Sequence, residues 1–230
     1  MERDGDAGDR GRMERDLDAR GRGPAEVDLD AAVARVASGE LLAYPTETVW
    51  GLAADARSDA AVAELWRFKG RDSDAPVSIL VSGAEALEPL GFAPGESAQR
   101  ALSALWPGPL TAVLPCRGRF AAGVARADGA VGLRCSPHPD AAALAQACDR
   151  AGAGPVTATS CNRSGEPAAA DRAAARSVCG DAVALLAGGD AGGGEPSTVV
   201  DFTGPRPRVL RWGGVDKTAL ASLLGELEAA

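Results

Sequence analysis

The amino-acid sequence predicts an α/β protein in which helices cover a β-sheet. Short apolar runs typical of buried strands alternate with segments of helical periodicity from Val27 onward. Glycine or proline follows most of the helical segments. The chain has 230 residues, of which 46% are hydrophobic, enough for one well-buried domain and short for two. We therefore predict a disordered, charged extension at residues 1–26 and one folded domain at residues 27–230.

The predicted helices share an apolar stripe at a spacing of three or four residues. The second helix gives the clearest boundaries, because Ser58 can cap its N terminus and Gly70 can end it. Its stripe runs through Val62, Leu65 and Trp66. The predicted helices lie at 27–40, 58–70, 96–106, 139–152 and 169–180, with a last one around 220–227.

The predicted strands are short runs rich in Val, Leu and Ala that are bounded by turn residues. Several of them end in polar side chains, which is unusual for a strand that is otherwise apolar. The glycine-rich segment after the sixth of these strands is predicted to be a flexible loop. The predicted strands lie at 41–44, 77–81, 110–115, 130–135, 155–160, 182–189, 197–202 and 208–213.

Composition argues against several classes of function. A net charge of -8 disfavours non-specific binding of nucleic-acid backbones. The five cysteines form no CxxC pair, so neither a zinc site nor a disulfide framework is indicated. The single histidine, His138, lies between two prolines, which disfavours a serine-type triad, and P-loop and GxSxG motifs are missing. No apolar run could span a bilayer, and we expect a cytoplasmic protein without a membrane partner.

Basic and hydroxyl side chains gather where the predicted strands end. Arg134 closes an apolar strand, and a buried arginine needs an anion from the protein or from a ligand. Lys69 and Arg71 flank Gly70, although such a pair is more often a solvated helix end, and Ser and Asn also suit ordinary turns. The other candidates are Thr46, Thr159, Ser160, Asn162, Ser164, Ser197, Thr198 and Arg211. Since ligands bind beyond the carboxyl ends of strands in open α/β sheets, we predict a site for a polyanion and a small polar molecule.

Seven blocks of the sequence carry a resemblance to a known family. They are YPTETVWGL, KGR with a downstream proline, WPGPLT, VGLR, TSCNRSG, STVVD and VLRWG. In this order and at similar spacing, the blocks resemble those of the YrdC family of threonylcarbamoyl-AMP synthases, also called L-threonylcarbamoyladenylate synthases. The resemblance covers about residues 27–215 and is closest to the short, single-domain form, whereas longer relatives carry a further C-terminal domain.

The resemblance implies an open, twisted, mixed sheet with a large concave cationic cavity. It also implies a nucleotidyltransferase that makes threonylcarbamoyl-AMP and pyrophosphate from L-threonine, bicarbonate and ATP. Mg2+ would accompany ATP rather than occupy a protein metal motif. A downstream threonylcarbamoyl-transferase complex would pass the group to the adenosine beside the anticodon of tRNA, and we expect no stable nucleic-acid binding by this chain.

The resemblance also implies roles for individual residues. Thr46 contacts the substrate threonine and Arg134 clamps its carboxylate, while Glu47 and Thr48 are expected to shape the turn. Further threonine contacts are expected at Ser78, Ser160 and Ser197. ATP contacts are expected at Lys69, Ser73, Asn162 and Arg211. The catalytic residues would be Lys69, Arg71, Ser160 and Asn162.

The chain departs from the family pattern at three positions. Asp72 replaces a proline, Cys161 replaces an alanine, and Ser78 stands where longer relatives often have histidine. Asp72 would weaken the local positive field, and the ligand role of Ser78 stays open. Two alternatives also stay open at this point: a YrdC-like carbamoyl-transfer domain, and an RNA-binding module without catalysis.

Overall fold

A computed structural model of the protein describes residues 24–70, 76–225 and 227–229. Within these ranges the α-helices are α1 (Leu29–Ala37), α2 (Asp59–Lys69), α3 (Glu96–Leu105), α4 (Pro139–Ala151), α5 (Arg172–Cys179) and α6 (Lys217–Leu224). The predicted caps of α2 are confirmed, because the Ser58 side chain accepts from the Ala61 N–H and Gly70 has a left-handed φ of 65°. None of the described helices is long and apolar enough to cross a membrane.

The strands found in the described ranges are β1 (Glu26–Val27), β2 (Leu42–Tyr44), β3 (Gly51–Ala53), β4 (Ser78–Leu80), β5 (Leu110–Pro115), β6 (Ala130–Arg134), β7 (Val156–Ser160), β8 (Ala184–Leu186), β9 (Thr198–Asp201), β10 (Arg208–Arg211) and β11 (Glu228–Ala229). The sequence predicted all of these except β1, β3 and β11. β1 and β11 have only two residues each, too few for an alternating pattern to be visible, and the three residues of β3 are held by pairing with β2 and β7. β1 begins at Glu26, one residue before the predicted start of the domain.

The described strands form one open, mixed sheet in the order β1-β8-β2-β3-β7-β4-β6-β5-β9-β10-β11. The parallel pairs are β1 with β8, β8 with β2, β4 with β6, β5 with β9, and β10 with β11. The other neighbours are antiparallel. This arrangement confirms the predicted fold class.

Helices cover the two faces of the sheet unequally. One face packs against α2, α3, α5 and α6 in the larger of two apolar cores. On the opposite face, α1 and α4 pack over the half of the sheet that includes β8, β2 and β7. Because side chains alternate along a strand, Val131 and Leu133 of β6 enter the larger core, while Gly132 and Arg134 face the other side. The part of that face formed by β4, β6, β5 and β9 becomes the floor of a cavity.

Thr157 is a fully buried polar residue at the centre of the sheet. Its hydroxyl donates to the Leu52 carbonyl at 3.0 Å and accepts from the Ala54 N–H at 2.9 Å. Valine has nearly the same shape but leaves both backbone groups without this partner. We expect Thr157→Val to lower the free energy of unfolding by about 1–3 kcal/mol, measured by urea denaturation.

Thr218 provides the matched control, since it is an exposed threonine on α6. We expect Thr218→Val to change the free energy of unfolding by no more than about 0.5 kcal/mol. Equal losses in the two variants would contradict the role given to the Thr157 hydroxyl.

Candidate active site

The cavity on the partly covered face has a volume of about 430 Å³. Its floor is kept open by Gly132, where an added Cβ would lie 2.4 Å from the Ser78 hydroxyl oxygen. Three of its described lining residues are arginines, Arg126, Arg134 and Arg211, and none of the described lining residues is acidic. The cavity is therefore concave and its charged lining residues are basic, in line with the cavity that the family resemblance implied.

A continuous polar row crosses four neighbouring strands on the cavity floor. Arg134 on β6 lies opposite Thr111 on β5, and the Thr111 hydroxyl is 2.8 Å from the hydroxyl of Ser197, which precedes β9. Arg211 on β10 donates from Nη2 to the Ser197 carbonyl at 2.9 Å and to its hydroxyl at 3.2 Å. The backbones of β6 and β10 are three strand spacings apart, about 14 Å. The row thus offers a guanidinium at each end and hydroxyls between them.

Arg134 is buried, with 7% of its surface exposed. Its guanidinium forms an ion pair with Glu47 and donates from Nη1 to the Leu110 carbonyl at 3.3 Å. Burial is the main cause that lowers the pKa of Arg134 to about 10, and the positive charge of Arg211 adds to it. Since this value is still well above neutral, Arg134 keeps its charge at pH 7. At the other end of the row, partial burial of the guanidinium lowers the pKa of Arg211.

Glu47 is a site residue that the sequence analysis missed. We expected it only to shape the turn, but one of its carboxylate oxygens pairs with Arg134 and the other accepts from the Ser136 hydroxyl. The sequence did contain a signal for this role, because Glu47 is a carboxylate between a buried strand and the apolar Val49–Leu52 run. Thr111 was also missed, although it belongs to the WPGPLT block.

Lys69, Ser160 and Asn162, three of the predicted catalytic residues, are in contact with one another. The Lys69 ammonium is buried and donates to the Ser160 carbonyl at 2.7 Å, the Asn162 carbonyl at 3.3 Å and the Asn162 side-chain oxygen at 2.8 Å. The Ser160 hydroxyl donates to the same side-chain oxygen at 2.8 Å. Ser160 lines the cavity. The end of α2 is thereby fixed to the end of β7, and one buried positive charge lies directly behind the cavity wall.

Arg71 and Ser73 lie outside the described residues, and so does Asp72. The catalytic role of Arg71, the ATP contact of Ser73 and the local negative charge of Asp72 therefore stay predictions.

The turn after β2 forms one lip of the cavity. Thr46 lines the cavity, and its hydroxyl donates to the Val49 carbonyl at 2.6 Å and accepts from the Thr48 N–H at 3.2 Å. The Gly192 N–H donates to the Thr46 carbonyl at 3.0 Å. A Cβ at Gly192 would lie 2.4 Å from the Glu47 carbonyl oxygen, so this glycine allows a close approach of two backbones. Part of the predicted flexible loop therefore packs on the lip.

Cys161 points away from the cavity, into the larger core. Its sulfur is 3.6 Å from that of Cys179 at the end of α5. Both thiols are buried. The Cys161 backbone is held on both sides, by donation to the Trp50 carbonyl at 2.8 Å and by acceptance from the Ala169 N–H at 2.9 Å. These contacts anchor the turn that carries Ser160 and Asn162.

The sequence profile of the Sua5/YciO/YrdC family, which is described as "Telomere recombination", matches residues 34–213. The chain belongs to this family. The matched range contains every described candidate residue from Thr46 to Arg211.

Individual members of the Sua5/YciO/YrdC family resemble the chain over most of its length. A threonylcarbamoyl-AMP synthase of Chromohalobacter salexigens is 40% identical over 172 residues, which are 74% of this chain and 90% of that protein. A threonylcarbamoyl-AMP synthase of Bacillus subtilis is 34% identical over 202 residues, 85% of this chain and 56% of that protein. The crystal structure of P. abyssi Sua5 complexed with L-threonine superposes with a TM-score of 0.80 at 30% identity, covering 90% of this chain and 62% of that one. The chain thus spans little more than half the length of these two longer family members.

Proposed function

We propose that this protein is a threonylcarbamoyl-AMP synthase, a nucleotidyltransferase that uses L-threonine, bicarbonate and ATP. The observation that carries the proposal is the row of Arg134, Thr111, Ser197 and Arg211 across the cavity floor. An amino-acid carboxylate and a triphosphate are the two anions that its cationic ends suit. The relatives are named for a threonylcarbamoyl-AMP product and P. abyssi Sua5 was solved with L-threonine, which supports threonine as a substrate.

In the proposed complex, Arg134 binds the threonine carboxylate, and Thr46, Ser78 and Ser197 surround the rest of the amino acid. Each of these residues lines the cavity. The triphosphate is proposed to lie toward Arg211 on β10, whereas Ser160 and the buried charge of Lys69 lie on the β7 side of Arg134, where Ser160 would contact the threonine. Asn162 lies on the same β7 side, in contact with Lys69, and the roles predicted for Arg71 and Ser73 stay predictions. Threonine and ATP would then be held at opposite ends of one row, with their reacting atoms between them.

The reaction needs no nucleophilic side chain. The threonine ammonium loses a proton, and the free amine attacks the carbon of CO2 or bicarbonate to give a carbamate, with water leaving in the bicarbonate case. A carbamate oxygen then attacks the α-phosphorus of ATP in line. The bond from that phosphorus to the bridging oxygen breaks, and pyrophosphate leaves with the electron pair. The protein contributes positioning and stabilisation of negative charge.

We propose that Mg2+ enters the site bound to the phosphates of ATP. In the described part of the chain, no group of three or more His, Cys, Asp or Glu side chains could hold a metal ion. No step is therefore assigned to a protein-held metal. The product would pass to a complex that modifies tRNA next to the anticodon, and the cytoplasmic location expected from the sequence belongs to this proposal.

The deciding experiment measures pyrophosphate release from purified protein with ATP, Mg2+ and bicarbonate, with and without L-threonine. We expect release that depends on threonine, and a nucleotide product whose mass equals that of AMP plus N-carboxythreonine minus water. Serine in place of threonine tests selectivity in the same assay.

No threonine-dependent release from folded protein that binds ATP would refute the proposal. Release with carbamoyl phosphate, in place of threonine and bicarbonate, would instead favour a carbamoyl-transfer domain. Binding of tRNA without any pyrophosphate release would favour an RNA-binding module.

A further inference from the structure

We propose that Glu47 is a positioning residue for the threonine site, which holds the Arg134 guanidinium in the orientation that binds the substrate carboxylate. This inference rests on the proposed function, because it concerns the same cavity and the same amino-acid substrate. It assigns a role to the carboxylate in the polar turn after β2, where only the hydroxyl of Thr46 was predicted to matter.

Glu47 is itself held by a chain of contacts that leads back to the backbone. The His138 N–H donates to the Ser136 hydroxyl oxygen at 3.2 Å, and this hydroxyl donates to one carboxylate oxygen of Glu47. The other carboxylate oxygen pairs with Nη2 of Arg134. Ser136 is 2% exposed, so the support is buried. A carboxylate with both oxygens engaged in this way has little freedom to rotate. Its ion pair with Arg134 therefore restricts the orientation of the guanidinium.

The contacts of Arg134 leave donors for a ligand. A guanidinium has five N–H groups. Within the described residues, Glu47 engages Nη2 and the Leu110 carbonyl engages Nη1. The remaining N–H groups are available to a carboxylate in the cavity that Arg134 lines. Without Glu47, the three flexible methylene groups of the arginine side chain would allow several rotamers, and the entropy lost in ordering it would weaken threonine binding.

Glu47 and the substrate carboxylate are both anions, so the sign of the effect discriminates between two roles. If Glu47 were only a competing counter-ion, its removal would free positive charge and strengthen threonine binding. If Glu47 positions Arg134, its removal weakens threonine binding although the site becomes more positive. Binding of ATP at the Arg211 end of the row should change little in either case.

The test compares wild type with Glu47→Gln, which keeps the shape and removes the charge. We expect the dissociation constant of threonine, measured by calorimetry, and its KM in the pyrophosphate assay to rise by about 10- to 100-fold. The KM of ATP should stay within about 2-fold of wild type. In the Arg134→Ala background, Glu47→Gln should cause no further rise in the threonine constants, because its effect passes through Arg134.

Glu40→Gln is the matched control. Glu40 also pairs with an arginine, Arg35, at 2.5 Å, but on the exposed surface near α1. We expect wild-type constants for this variant. Should Glu47→Gln fail to fold, Ser136→Ala removes only the second support of the carboxylate and is expected to raise the threonine constants in the same direction by about 3- to 10-fold.

Unchanged or tighter threonine binding by folded Glu47→Gln would overturn the positioning role, as would a full further loss in the Arg134→Ala background. These outcomes differ from failure of the proposed function, in which wild type itself releases no threonine-dependent pyrophosphate. An active wild type with an unaffected Glu47→Gln variant refutes only the role of Glu47.

Discussion

We expect Lys69→Met to lower the rate of threonine-dependent pyrophosphate release by about 100- to 1,000-fold. Methionine matches the length of lysine but donates no hydrogen bond. The three oxygens that the ammonium now binds, at 2.7, 2.8 and 3.3 Å on Ser160 and Asn162, would lose that partner. The turn that carries Ser160 into the cavity would relax, and the buried positive charge behind the cavity wall would be removed.

Lys217→Met is the control for Lys69→Met, since the chain contains only these two lysines. Lys217 is exposed at the start of α6 and lies over the ring of Trp212. Its variant should keep the wild-type rate. Circular dichroism and thermal melting establish that both variants are folded. A folded Lys69→Met that keeps more than about a tenth of the wild-type rate would contradict a central role for Lys69.

Arg134→Ala is expected to raise the KM and dissociation constant of threonine by about 30- to 100-fold, which corresponds to roughly 2–3 kcal/mol. The change removes the guanidinium that is proposed to clamp the substrate carboxylate, and it leaves Glu47 as an unpaired anion beside the same space. The KM of ATP should rise by less than about 3-fold, because the triphosphate is proposed to lie toward Arg211. Calorimetry with threonine and initial rates at varied ATP measure the two quantities separately.

Arg126→Ala separates a specific clamp from a general positive field. Arg126 also lines the cavity, but its guanidinium is engaged by Asp201 at 2.7 Å and by Asp128. Burial would raise the pKa of Asp201, but hydrogen bonds from Thr203 and from Arg126 lower it, so Asp201 stays charged and paired with Arg126 in the cavity wall. Arg126→Ala should leave threonine binding nearly unchanged. A similar loss for both arginine variants, or equal effects of Arg134→Ala on threonine and ATP, would refute the clamp.

Local signals made most of the fold predictable. The capping hydroxyl of Ser58 and the left-handed Gly70 determine where α2 begins and ends. Both signals are local, so the boundaries of this helix can be predicted from the sequence. β3 was missed for the opposite reason. Its three residues form a strand because they pair with β2 and β7. β7 is distant in the sequence, so no local pattern indicates this pairing.

The candidate site divides in the same way. Lys69, Ser160 and Asn162 were chosen as candidates because family blocks mark them, and in the structure they are in contact. The pairing of Thr111 with Ser197 joins residues 86 positions apart, and it depends on the register of β5 with β9. No local pattern encodes such a contact. The same holds for Glu47 and Arg134, which meet only because the turn after β2 reaches across to the end of β6.

Side chains of β6 point alternately to the apolar core and to the cavity, and this restricts which sequence changes the strand can accept. Val131 and Leu133 belong to the larger apolar core, whereas Gly132 and Arg134 belong to the cavity. Substitutions are constrained on both faces, since an added side chain at Gly132 would meet Ser78 and removal of Arg134 would leave Glu47 without its ion pair. An insertion or deletion of one residue in β6 would be far more damaging. It would exchange the two sets, so that an arginine met the core and a leucine met the substrate.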